Sequence, residues 1–128
     1  MKYVLGIFLI LHAMVHLLYA GQSARFFELK PGMVWPDAAW AFSRFLGNVT
    51  IRNLASLSLL LSAIIFIISG VGILSNQPWA KSLTIGAITF SSIVFILFWN
   101  GQLQDLDGQG GIGLIINIVL LVAVLLLY

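Results

Sequence analysis

Residues 54–74 read LASLSLLLSAIIFIISGVGIL, a stretch without a single Asp, Glu, Lys or Arg. A helix needs about 20 apolar residues to cross a hydrocarbon core of about 30 Å, so this segment has the length and composition of a membrane span. Working outward, three more segments share that character: about Tyr3 to Ala20, about Leu83 to Trp99 and about Ile112 to Tyr128, all likewise free of Asp, Glu, Lys and Arg. At about 1.5 Å per residue the last two cover only about 25 Å, which implies little tilt, a thin bilayer, or helices that continue into their flanks.

The whole chain agrees with this reading. Its 128 residues are 61% hydrophobic and 8% charged, with a mean hydropathy of +1.09, whereas a soluble domain carries about 25% charge. Six basic and four acidic side chains plus two histidines cannot cover a water-exposed globule of this size, so the exterior faces lipid or other membrane proteins. Soluble enzymes and nucleic-acid-binding domains are excluded. The net charge of +2 comes from no basic run, and the lack of Cys rules out disulfides, thiolate metal sites and dithiol redox chemistry. Met1-Lys2 and the apolar stretch after it have the outline of a secretory leader, but His12 and His16 interrupt it and the span reads as retained.

The expected fold is all-α: an integral membrane four-helix antiparallel bundle, one membrane domain over residues 1–128, with an interfacial amphipathic segment between helices 1 and 2. That segment, about residues 22–50, carries Phe26, Phe27, Trp35, Trp40, Phe42 and Phe45 among Arg25, Glu28, Lys30, Asp37 and Arg44. Its aromatic density suits the membrane interface. Pro31-Gly32 marks a turn, and Pro36-Asp37 followed by Gly47-Asn48 predicts a short amphipathic helix from about Asp37 to Leu46. The segment either caps the bundle or forms a lid over a ligand pocket. Ser75 to Pro78 predicts a tight turn, and Asn100 to Gly111 a polar, glycine-rich one. Four passes put both termini on one side and the two longer connections on the other, the loop side. Lys2 and Lys81 lie on the terminal side, against Arg25, Lys30, Arg44 and Arg52 on the loop side. A strict positive-inside count places the loop side in the cytoplasm, while Lys2 ahead of the first span argues the reverse, so orientation stays open.

Polar groups inside spans are costly, and their depth is the best functional signal in this sequence. His16 lies about 6 Å and His12 about 12 Å inside the loop-side end of the first span, with Ser91 and Ser92 about 10–12 Å below Trp99 and Asn117 about 8 Å into the fourth. Ser56, Ser58 and Ser62 occupy the loop-side half of the second span. The terminal-side half holds Gly6, Gly70, Gly72 and Gly86, which permit close helix contact. A bundle tight at the terminal side and open toward the loop side follows, with His12, His16, Ser58, Ser62, Asn117 and Trp40 as candidate ligand-binding residues. Arg52, Asn100, Asp105 and Asp107 form a candidate rim, in which Arg52 either anchors in headgroups or pairs with Asp105 or Asp107.

His12 and His16, at i and i+4, share one helix face. They are either hydrogen-bonded within the bundle or to a partner, in contact with a quinone-like or lipid ligand, or ligands of haem or metal. A metal site needs three or four ligands that the spans do not supply, and haem cannot be sandwiched by two histidines approaching from one side, though a single His could hold one. Two motif matches carry no function. Gly108-Gln109-Gly110-Gly111-Ile112-Gly113 fits GxGxxG without the strand its mechanism requires and reads as a flexible start to the last helix. Asn48-Val49-Thr50 is a glycosylation sequon set almost against the second span.

Trp35-Pro36-Asp37 with Trp40-Ala41-Phe42-Ser43, the Trp99-Asn100 exit and Gly110-Gly111 leading to Asn117 give an outline that resembles small prokaryotic four-helix membrane proteins of the broad DoxX-like kind. The resemblance implies a multi-pass protein of a prokaryotic cell membrane, and some members are accessory subunits of quinone-linked oxidoreductases. Three functions stay open: a non-catalytic subunit or assembly partner of a larger membrane complex, a binding module for a quinone, carotenoid, lipid or haem, and a small transporter working as a homo-oligomer. No nucleophile–base pair can be assembled from the residues present. Membrane lipid is the common partner of all three.

Overall fold

The computed structural model describes residues 1–128 and consists of helices and turns without a strand. Its four long helices are α1 (Lys2–Ser23), α2 (Asn48–Leu74), α3 (Ala80–Phe98) and α4 (Ile112–Leu127). Each is long and apolar enough to cross a membrane, α4 together with the turn before it, so by length and composition the chain is of the multi-pass kind. The helices outrun the hydropathy segments at several ends. α2 starts at Asn48, ahead of the apolar stretch, because Thr50, Arg52 and Asn53 continue the helix on a polar surface that hydropathy does not register.

Packing turns the polar side chains inward. On α1 the buried residues Leu5, Leu9, His12, Ala13 and His16 form one stripe, while Val4, Ile7, Leu11, Met14 and Leu18 are exposed. α4 repeats the pattern, burying Gly113, Asn117, Leu120 and Val124 and exposing Ile115, Ile118, Val119 and Val122. Outer faces on α1 and α4 more apolar than the inner ones are unfavourable in water and suit a hydrocarbon solvent.

α1 and α2 touch backbone to backbone near the chain's N-terminus. A Cβ on Gly70 would lie 2.7 Å from the Gly6 carbonyl oxygen, and one on Gly6 would lie 3.0 Å from that of Gly70. Gly72 admits the Trp79 ring in the same way, whereas Gly86 faces open space and mediates no close contact. At this end Lys2 Nζ also donates to Asn76 Oδ1 at 2.8 Å.

The opposite end holds a second core, of Trp35, Ala39, Ile51, Ala55, Leu59, Val94, Phe95 and Phe98. Fully buried Trp35 fills the space where the sequence suggested an opening. The expected helix from Asp37 to Leu46 is absent, and the stretch is a series of turns. Ala38 has φ +60°, and the Trp40 N–H donates at 2.8 Å to the Trp99 carbonyl rather than within its own segment. A non-local hydrogen bond thus takes the place of the helical one.

Candidate functional site

Three helices bring their buried polar groups to one place. His12 and His16 come from α1, Ser91 and Ser92 from α3 and Asn117 from α4. His16 Nδ1 lies 3.0 Å from the His12 carbonyl oxygen, an acceptor without a proton, so Nδ1 must carry a hydrogen, and in the neutral ring Nε2 must then accept. Ser91 Oγ, 2.6 Å from that Nε2, therefore donates its one proton there and accepts from Asn117 Nδ2 at 3.0 Å. This orients the amide, which places Asn117 Oδ1 2.9 Å from His12 Nε2 and makes the His12 nitrogen the donor. The circuit closes on the helix where it began, and every direction in it follows from one carbonyl. The second Asn117 proton goes to Ser92 Oγ at 3.0 Å.

Aromatic rings enclose the circuit. His12 and His16 meet edge to face at 4.7 Å, Phe66 lies 5.0 Å from both, and Phe95 lies 5.3 Å from His16. His12 Nδ1 is buried without a partner, as are Trp35 Nε1 and Ser69 Oγ. None of the four main clefts is lined by His12, His16 or Asn117. The group is packed, and where the sequence suggested an open pocket its side chains bond to one another, with His12 Nδ1 left over.

The other candidates lie elsewhere. Ser62 Oγ donates to the Ser58 carbonyl one turn back at 2.9 Å, a local bond that takes Ser62 out of the cluster, and the Ser58 hydroxyl makes no bond to its members. Trp40 is half exposed and donates from Nε1 to the Ile96 carbonyl, so it staples the connecting segment to α3. Arg52 does not pair with Asp105 or Asp107. It grips Asp37 with two bonds, Nε to Oδ1 at 2.7 Å and Nη2 to Oδ2 at 2.6 Å, and Arg25 adds a contact at 3.0 Å. Asp37 wins because the turns carry it back over the start of α2. Burial alone would raise the Asp37 carboxyl, but the Arg52 hydrogen bonds and the Arg25 and Arg52 charges outweigh it and hold it below the usual carboxylate range. Asn100 and Asp105 do meet, Nδ2 to Oδ2 at 2.9 Å, whereas Asp107 lies beside Lys30 at 3.9 Å.

Three residues escaped the sequence reading. Gln22 donates to the Met33 and Trp35 carbonyls and accepts from the Leu29 N–H, so one buried amide organises the first half of the connecting segment. Tyr19 reaches the Gly108 carbonyl at 2.9 Å, and Gln109 Oε1 accepts from the Asn100 N–H at 2.9 Å. The only sequence signal for Tyr19 and Gln22 was position, a polar group at the very end of an apolar stretch, and Gln109 sits among glycines just ahead of one. The glycines after Gln109 have a steric role: Gly110, at φ +100°, lies against the Phe95 ring, where a Cβ would collide.

No family model, curated protein or solved structure matches this chain. Its residues alone carry the functional reading.

Proposed function

We propose that this chain is a small, non-catalytic integral membrane subunit or assembly partner of a larger membrane complex, crossing a prokaryotic cell membrane four times as an antiparallel bundle. The observation that carries the reading is the closed hydrogen-bond circuit of His12, Asn117, Ser91 and His16, which spends the intramembrane polar groups on holding α1, α3 and α4 together. The DoxX-like outline belongs to the same reading and makes quinone-linked oxidoreductases the first complexes to test. A quinone or haem seated between the helices would have to displace bonds the circuit already makes. Proton-coupled transport is disfavoured because the Asn117 amide, a poor proton relay, stands between His12 and Ser91.

Isolation from its native membrane in mild detergent, followed by mass spectrometry and an absorption spectrum, tests this. A stoichiometric larger membrane protein is expected. A homo-oligomer without such a partner, or a coloured or quinone-like molecule bound to the chain alone, overturns it.

A further inference from the structure

Outside the helices, Lys30, Asn100, Gln104, Asp105, Asp107 and Gln109 line a polar cleft of about 300 Å³. It is a built site rather than a patch of exposed charge. Gln109 is 9% exposed; its Oε1 is held by the Asn100 N–H, and its Nε2 has no protein partner. Each carboxylate has one oxygen already engaged, Asp105 Oδ2 by Asn100 Nδ2 and Asp107 Oδ1 by the Gly108 N–H, which leaves the other free for a ligand or, in Asp107, for the distant Lys30. Lys30 Nζ lies 2.7 Å from the position a Cβ on Gly108 would take, so the missing side chain leaves room for the ammonium to approach. Two carboxylates against one ammonium favour a ligand that carries a cation, and the Lys30 and Gln109 donors favour one that also carries an anion.

Asp107 also lines a second, apolar groove of about 430 Å³ that continues along Leu106, Ile112, Ile115 and Ile118 on the outer face of α4. Polar cleft and apolar groove therefore adjoin at one residue, as the two halves of an amphiphile do. We propose that together they seat one phospholipid with an amine-bearing zwitterionic headgroup, its phosphate toward Lys30 and Gln109, its ammonium toward Asp105 and Asp107, and an acyl chain along α4. This goes beyond the subunit reading and does not depend on it.

Native mass spectrometry of the purified chain in mild detergent tests the proposal, with added phosphatidylethanolamine, phosphatidylglycerol of the same acyl chains, and water-soluble glycerophosphoethanolamine. Phosphatidylethanolamine should be retained on the order of tenfold over phosphatidylglycerol. Asp107→Asn should remove that preference, and Ile115→Trp, which fills the groove, should weaken retention of the lipid. Asp107 is exposed enough for its variant to keep the wild-type melting temperature, which serves as the folding control. Equal retention of the two phospholipids overturns the proposal, as does an unchanged preference in Asp107→Asn. Competition by glycerophosphoethanolamine as strong as by the lipid overturns it in favour of a soluble headgroup compound. Because the measurement needs only the isolated chain, failure here leaves the subunit reading standing, and the lack of a larger partner leaves this site standing.

Discussion

At the scale of single residues, the asymmetry between making and breaking a buried hydrogen bond governs what substitutions do. Asn117→Leu strands the His12 Nε2–H and takes a donor from both Ser91 and Ser92. Bonds between membrane helices are worth about 0.6 kcal/mol on average, and an orphaned buried group costs about 1–3 kcal/mol. The variant should therefore lose about 2 kcal/mol, read as a lower melting temperature in detergent. His16→Ala should fall by at least as much, since it adds a cavity between Phe66 and Phe95; unchanged melting would remove the structural role of the circuit. The meeting of these residues was legible beforehand, because the i, i+4 spacing of the histidines and simple depth counting place them opposite Ser91, Ser92 and Asn117. Their partners were not legible, since a side chain's choice between a local carbonyl, as in Ser62, and a distant group, as in Ser91, depends on helix rotation.

At the scale of elements, two contacts hold α2 in different ways, one against α1 and one against the connecting segment. The Gly6–Gly70 approach is steric, and any side chain must push the backbones apart. Gly70→Val should cost about 1–3 kcal/mol, whereas Gly86→Val, in open space, should leave the melting temperature close to wild type; equal losses would deny the close contact its importance. The Asp37 clasp is electrostatic. Its carboxyl titrates below the ordinary value in the folded protein, so its stabilisation is fully present above the unfolded pKa of about 3.9. That contribution is lost as pH falls through the lower folded value. Asp37→Asn should flatten this acid limb of a stability–pH curve and cost about 1–2 kcal/mol at neutral pH, allowing for solvent screening at side chains that are 15–30% exposed. Hydropathy located all four helices because apolar runs of span length are hard to mistake. It missed their ends and the irregular form of the Asp37 to Leu46 stretch, where one bond to Trp99 outweighs local propensity.

At the scale of the whole molecule, the chain has no cysteine, so single introduced thiols report sidedness cleanly. In sealed vesicles Glu28→Cys and Gln104→Cys should react with an impermeant maleimide from one side and Gln77→Cys from the other; all three reacting from a single side would rule out the four-pass arrangement. The fold class needed only the count of apolar segments, but the function did not follow from it, because the bonds that His12, His16, Ser91 and Asn117 make are to one another and carry no signature of a particular chemistry. The directed circuit has a spectroscopic consequence. With one imidazole protonated at Nε2 and the other at Nδ1, nitrogen-15 resonances of the two rings should separate into distinct tautomeric signatures. Loss of that separation on assembly or dissociation would report a rearrangement of α3 or α4 from the vantage point of α1, with isotopic nitrogen as the reporter and no change to the covalent structure.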